Sequence, residues 1–126
     1  MIIQSSPNAK YETAKDGVCP IISTTVNTLA VAANTLLVSP TTGKRIRVVG
    51  GVTSSTGALT VLNFLSGSGG TSLRILTVPL NTVANPNMLL VPSEDDQFET
   101  ATSTGLYVTN TATTCYLSIN YIVYTP

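Results

Sequence analysis

Turn-forming residues recur at short intervals along most of the chain, and this spacing constrains the fold more than any other feature. Between the turns lie short segments rich in Val, Ile, Leu, Thr and Tyr, which are the residues that favour β-strands. Short strands with turns every 8–12 residues or so are typical of an all-β sandwich. The turn clusters are Ser39–Gly43, Ser54–Gly57, Ser66–Gly70, Asn85–Asn87 and Pro92–Asp96.

The segments between these turns predict a single-domain antiparallel β-sandwich of the jelly-roll type over residues 21–126. The irregular composition of residues 1–20 predicts an extended N-terminal arm before it. No fixed-period repeat indicates a propeller or a solenoid. The predicted strands are Ile21–Val26, Leu29–Val38 with a candidate break at Asn34, Lys44–Thr53, Ala58–Leu65, Ser72–Leu80, Met88–Val91, Phe98–Ala101, Gly105–Asn110 and Thr114–Tyr124.

Alternation along these strands indicates which faces are buried. In Lys44–Thr53, Ile46 and Val48 share one face while Arg45 and Arg47 share the other, as in a half-buried antiparallel strand. The last strand, Thr114–Tyr124, carries apolar residues on both faces. Because a sandwich covers only the inner face of each sheet, the outer apolar residues need an arm, a loop or another subunit. We therefore expect self-association.

Composition excludes several classes of function. Six basic residues balance six acidic ones, so the surplus of cations that nucleic-acid binding requires is missing. The apolar runs are too interrupted to cross a membrane, and residues 1–10 do not have the pattern of a secretory signal, so we expect folding where the chain is made. The chain contains no His, the commonest general base and metal ligand. We expect no enzymatic activity, catalytic residue, metal or cofactor.

Two charged segments and a set of tyrosines are the candidate sites. Glu94–Asp96 could attract calcium, but the spacing lacks the pattern of an EF-hand, and a solvated turn is the favoured interpretation. Arg45 and Arg47 form either a solvated edge or a surface that pairs with the acidic residues of a neighbouring copy. Cys19 and Cys115 are expected to be thiols in a reducing compartment. The tyrosines suit either a subunit interface or packing inside the monomer. The candidate self-association residues are Arg45, Arg47, Tyr116, Tyr121 and Tyr124.

A series of β motifs between about residues 41 and 124 resembles small structural proteins of tailed bacteriophages. In those proteins a GK-x-I-R-V strand, a strand ending in Ser-Gly, an F-E-T-A segment and a final strand with Tyr follow one another. The chain departs from that pattern in its Gly50–Gly51 pair and its long polar arm. The matching segments are Thr42–Val48, Thr60–Gly67, Phe98–Ala101, Gly105–Val108 and Leu117–Tyr121.

The resemblance implies a decoration or cement protein that binds across joints between copies of the major capsid protein and stabilises the head. It further implies a homotrimer, with a dimer as the alternative, made in the host cytoplasm and located on the virion surface. The arm would dock on the capsid, with Ile2, Ile3, Tyr11 and Val18 as candidate contacts. The alternative function is a carbohydrate- or receptor-binding module of a head or tail fibre.

Overall fold

The computed structural model describes residues 11–14, 17–30, 34–55, 57–79, 88–111 and 114–126. Strands account for nearly all regular structure in these ranges, and a short 3-10 turn at Glu94–Asp96 is the exception. The strands are β1 (Tyr11–Ala14), β2 (Gly17–Pro20), β3 (Ile22–Leu29), β4 (Thr35–Val38), β5 (Arg45–Ser55), β6 (Thr60–Ser66), β7 (Thr71–Val78), β8 (Met88–Leu89), β9 (Phe98–Glu99), β10 (Leu106–Asn110) and β11 (Cys115–Tyr124).

Two antiparallel sheets form the sandwich. The four-stranded sheet has the order β4-β10-β6-β7, and the five-stranded sheet has the order β3-β11-β5-β8, with β9 also paired to β5. Successive partners are nested: β3 pairs with β11, β4 with β10, β5 with β8 and β9, and β6 with β7. This nesting across two sheets is the jelly-roll arrangement. The predicted all-β sandwich is therefore confirmed.

The core lies between the inner faces of the two sheets. Phe64 on β6 meets Phe98 on β9 with ring centroids 5.2 Å apart, a contact that joins the two sheets. At one end of the core the buried Asn110 accepts a hydrogen bond from Thr60 and donates one to the Leu29 carbonyl at 3.2 Å. Besides Phe64, the fully buried large side chains of this core are Leu29, Ile46, Val48, Leu62, Val78, Leu90, Leu106, Val108, Leu117 and Ile119.

The two long central strands, β5 and β11, are paired along ten residues of β11, with an irregularity between Asn120 and Tyr121. Gly51 lies in this ladder opposite Ile119 and has a φ of +144°, a conformation that side-chain-bearing residues rarely adopt. A Cβ on Gly51 would lie 2.4 Å from the Ser118 carbonyl oxygen. The close approach of the two backbones at this point therefore requires glycine.

The strand boundaries differ from the predicted ones mainly near the N-terminus. The predicted segment Leu29–Val38 is divided between the end of β3 and the short strand β4, with Asn34 just before β4. Residues 11–20 of the predicted extended arm contain a β1–β2 hairpin, in which Tyr11 pairs with Pro20 and Ala14 with Gly17. Charged residues and proline in this segment hid its strands from a composition-based prediction.

Substitution of Gly51 by Ala should destabilise the protein by about 3 kcal/mol or more, because it adds backbone strain to a steric clash. Gly50→Ala is the matched control, since a Cβ there would meet Asn120 only at ordinary contact distances of 3.4 and 3.7 Å. Urea denaturation of both variants measures the difference. Equal stability of the two would contradict this account of Gly51.

Candidate functional site

The β1–β2 hairpin contributes to a small apolar cluster on the outer face of the five-stranded sheet. Cys19 of β2 and the following Ile21 pack with Val49, Ile122 and Tyr124. We call these five residues the outer cluster. Residues of the same chain thus cover the apolar outer face at this place. An arm of the chain was one of the three covers expected for strands that are apolar on both faces. Cys115 belongs to the core on the other side of the same sheet, so it is not placed to bridge with Cys19.

Glu99 is the centre of a charged network beside the outer cluster. Arg45 Nη1 lies 3.3 Å from Glu99 Oε2, and Arg47 Nη2 lies 3.5 Å from Glu99 Oε1. The Tyr124 hydroxyl donates a hydrogen bond to Glu99 Oε2, and the Arg47 guanidinium lies 4.5 Å from the centroid of the Tyr124 ring. Such a stacked guanidinium is attracted by the face of the aromatic ring.

The network changes the acidity of its members. Burial raises the pKa of Glu99, but the hydrogen bond from Tyr124 and the nearby charges of Arg45 and Arg47 outweigh that effect, so the net shift is downward from 4.5. Burial, together with the hydrogen bond to Glu99, raises the pKa of Tyr124 above 10.0. Glu99 is therefore ionised and Tyr124 protonated at neutral pH.

These contacts alter the interpretation of three candidate interface residues. Arg45 and Arg47 bind Glu99 of their own chain, whereas the sequence indicated either a solvated edge or pairing with the acidic residues of a neighbour. Tyr124 is only 4% exposed, so it is a packing residue of the outer cluster and not an accessible contact. No sequence signal singled out Glu99, because nothing in the one-dimensional pattern shows that β9 lies beside β5.

The remaining candidate residues are dispersed. Tyr116 and Tyr121 are half-buried on β11, and Tyr121 packs against the main core. Tyr11 and Val18 lie on the two strands of the hairpin, while Ile2 and Ile3 lie outside the described residues. The structure therefore does not gather the predicted self-association residues into one exposed patch.

The acidic segment forms the 3-10 turn and is engaged in local contacts. Ser93 Oγ donates to Asp96 Oδ2 at 2.7 Å, and Arg74 Nη2 lies 3.1 Å from Asp96 Oδ1. The hydrogen bond from Ser93, followed by that from Arg74, lowers the pKa of Asp96. Within the described ranges no group of three or more His, Cys, Asp or Glu side chains is arranged to hold a metal ion. The 3-10 turn and the contacts of Asp96 with Ser93 and Arg74 agree with the interpretation of the segment as a turn.

A groove lies on the outer face of the five-stranded sheet, next to the outer cluster and the 3-10 turn. Its volume is about 240 Å³. Residues of β5 and β11 form one part of the groove, and the segment before the 3-10 turn forms another part. The residues that line it are Val49, Gly50, Gly51, Val52, Leu89, Val91, Pro92, Ser93, Glu94, Gln97, Ser118 and Asn120.

Gln97 lines this groove and has an unusual side-chain amide. Its Nε2 is buried without a hydrogen-bond partner, the single such side-chain atom in the part of the chain that the structure describes. Asn120 Oδ1 accepts a hydrogen bond from Ser23 Oγ at 2.7 Å, and Asn120 Nδ2 lies 3.4 Å from the position of a Cβ built on Gly50. No sequence pattern predicted this groove, because the Gly50–Gly51 pair stood out only as a departure from the phage-protein motifs and nothing in the sequence indicated Gln97.

The outer face of the four-stranded sheet carries no charge among its described residues. Leu106 and Val108 point into the core, so Tyr107 between them points outward, together with its cross-strand partners Leu36 and Leu65. Leu36 is 44% exposed. We call this surface the uncharged face. Its outward residues are Leu36, Val61, Asn63, Leu65, Ser72, Ile75, Thr77, Tyr107 and Thr109.

The free edge of β3 is the second uncovered surface. β3 pairs with β11 on one side, and no other described strand pairs with its second side. Its eight residues, ISTTVNTL, include neither a charge nor a proline, and Ser23, Thr25 and Asn27 are exposed. Long, uncharged edge strands of this kind are templates for pairing with another chain.

Similarity to known proteins is limited to a distant structural likeness. No protein-family model and no curated protein matches the chain. A solved structure described as "Bacillus endospore appendages form a novel family of disulfide-linked pili" is 16% identical, with 97% of this chain and 98% of that chain covered and a TM-score of 0.38. In the described residues there is no helix of the length and apolarity that a membrane span needs.

Replacement of Glu99 by Gln should lower the free energy of unfolding by about 1 kcal/mol at neutral pH, because the two arginines lose their carboxylate. Since the pKa of Glu99 is lowered in the folded protein, the ionised form stabilises the fold above pH 4.5, and this contribution is lost as the pH falls through the folded-state pKa. The difference between wild type and variant should therefore disappear in acid.

Urea denaturation at several pH values checks this dependence. Glu94→Gln is the control, because Glu94 is exposed and lies outside the three ion pairs of the described residues. A difference between wild type and Glu99→Gln that persists below the folded-state pKa would show that packing, and not charge, makes Glu99 important.

Proposed function

We propose that this protein is a non-enzymatic structural subunit that associates with copies of itself through the free edge of β3. The observation that carries the proposal is the eight-residue length of this edge without charge, proline or a paired strand among the described elements. Unpaired N–H and C=O groups along such an edge are satisfied by a strand from a second chain. Assembly by strand addition follows from that property.

The other edges of the sandwich are less suited to this role. β4 is four residues long and is soon followed by Pro40, and β8 and β9 have two residues each. β7 is as long as β3, but it carries Arg74, which is held by Asp96. Short strands, proline and charged side chains are the features by which proteins discourage edge pairing. β3 has none of them.

Side-chain hydrogen bonds to β11 also order β3 before a partner binds. Ser23 Oγ donates to Asn120 Oδ1 at 2.7 Å, and Thr25 Oγ1 donates to Ser118 Oγ at 3.3 Å, so two side-chain hydrogen bonds fasten β3 to β11. A strand that is already ordered loses little conformational entropy when a partner binds. Among the described strands, β7 of a second copy offers the other long edge, and because Asp96 pairs with its Arg74, it can receive β3 in a head-to-tail contact, which closes into a ring when the rotation permits.

The finer proposal is that this assembly decorates a bacteriophage head as a homotrimer bound to the major capsid protein. Support comes from the motif resemblance and from the jelly roll, an architecture that viral capsid domains also use. The uncharged face is the proposed capsid side, since the cores of protein interfaces are depleted of charge. The first ten residues are the proposed second contact. By binding the assembled shell and not its free subunits, such a protein stabilises the shell.

Lysines on β3 should dissociate the assembly. In the double variant Thr25→Lys, Asn27→Lys, charge repulsion and desolvation oppose pairing, while both positions are exposed in a single copy. We expect light scattering to give 13.1 kDa for the variant and a multiple of that mass for the wild type. Thr109→Lys on the uncharged face is the control that keeps self-association. An unchanged mass of the double variant would exclude the β3 edge.

Capsid binding is tested separately. A variant that lacks residues 1–10 retains the β1–β2 hairpin and the outer cluster, so it should fold and self-associate normally. We expect it to cosediment with purified heads less than the full chain does, and Thr109→Lys to show a similar loss. Full binding by both variants would contradict the assignment of these two capsid contacts without affecting the β3 edge.

A further inference from the structure

We propose that Ile22 of one copy packs against Ile75 of the next copy and thereby selects the register and the face of the contact between β3 and β7. This inference rests on the self-association proposed above and names the side chains that make it specific. The partner is a second copy of the same chain. The exposure of the two isoleucines, the faces on which they lie and the position of the nearest charge support the contact.

Each of the two long edge strands exposes one isoleucine. Ile22 at the start of β3 is 41% exposed. Ile75 of β7 is 61% exposed, more than any other large apolar side chain in the part of the chain that the structure describes. An apolar side chain beside an unpaired backbone edge is buried when another strand is added to that edge. Each edge therefore offers main-chain groups together with one apolar side chain.

Ile22 lies at the exposed rim of the inner face of its sheet. Because side chains alternate along a strand, Ile22 shares one side of β3 with Thr24 and Val26. Val26 packs against the core between the two sheets. Ser23 and Thr25 lie on the other side of β3, where their hydroxyls donate hydrogen bonds to side chains of β11.

Ile75 lies on the outer face of its own sheet. Leu76 and Val78 are buried in the core, so Ile75 and Thr77 point away from it. Ile75 therefore belongs to the β7 margin of the uncharged face. When β3 of one copy joins β7 of the next, the two isoleucines share a side of the joined sheet in one arrangement. In that arrangement the inner face of one five-stranded sheet continues into the uncharged face of the next copy.

The opposite arrangement leaves both isoleucines beside less suitable neighbours. A shift of one residue between paired strands exchanges the side chains that meet on each face. Ile75 would then lie beside the hydroxyls of Ser23 and Thr25, and Ile22 would lie on the side of β7 that carries Arg74. Contact between two aliphatic side chains removes more apolar surface from water than either of these contacts does. The isoleucine contact thus favours one face and one register.

The nearest charge does not obstruct the isoleucine contact. β3 contains no charged residue, and Arg74 is the single charged residue of β7. Arg74 Nη2 lies 3.1 Å from Asp96 Oδ1. Because Arg74 is next to Ile75 in a strand, its side chain leaves β7 on the other side. A charge on the same side as Ile75 would have to be desolvated when β3 binds, which opposes pairing.

A charge exchange across the proposed contact is the test. Ile22→Lys and Ile75→Glu should each weaken association about tenfold or more, because each places a charge against an isoleucine. Light scattering should then give masses closer to 13.1 kDa at concentrations at which the wild type is assembled. The double variant Ile22→Lys, Ile75→Glu should recover the assembly, since the introduced charges are opposite and meet in every contact. A wild-type mass for either folded single variant, or no recovery in the double variant, would overturn the proposal.

Leu59→Glu is the matched control, because Leu59 is 55% exposed and lies outside both edge strands. It should keep the wild-type mass. If Ile22→Lys fails to fold, the mass of Ile75→Glu decides alone. Dissociation of the Thr25→Lys, Asn27→Lys variant together with a wild-type mass for Ile75→Glu would retain the β3 edge and reject the isoleucine contact. A wild-type mass for Thr25→Lys, Asn27→Lys, or a monomeric wild type, would reject both proposals.

Discussion

The pairing of β5 with β11 is the constraint on which the rest of the structure depends. These are the two longest strands, and both lie in the interior of the five-stranded sheet. Their register sends Ile46, Val48 and Ile119 to the core and Arg47 and Ile122 to the opposite face. Because side chains alternate, a shift of one residue would exchange the two faces and bury arginines in the core.

On the outer face of that sheet, β11 is apolar on both faces and yet keeps Ile122 buried. The hairpin covers Val49 and Ile122, and the Glu99 network lies beside this cover. The Glu99 carboxylate pairs with two guanidinium groups and accepts a hydrogen bond from a tyrosine hydroxyl, so both ion pairs form within one chain. Residue types suited to a subunit interface thus act within the subunit, since tyrosine and arginine make the same contacts in either setting.

In the described part of the chain, the surfaces available for function are the free edge of β3, the uncharged face and the groove. An edge strand binds through main-chain groups, which explains why β3 needs no distinctive motif to recruit another chain. The Gly50–Gly51 pair lines part of the groove. A jelly roll hosts many functions, so the proposed activities rest on these surfaces and not on the fold.

The sequence by itself determined the β class, the sandwich and most of the strands, because turn residues and β-branched residues act locally and their spacing is visible in one dimension. Lys44–Thr53 and Thr114–Tyr124 were predicted close to β5 and β11. Only the tertiary structure decided that Glu99 binds Arg45 and Arg47, that Tyr124 is buried, and that Gln97 faces a groove. These contacts join residues distant in the chain, and they depend on the register of strands and the position of loops, which no local preference encodes.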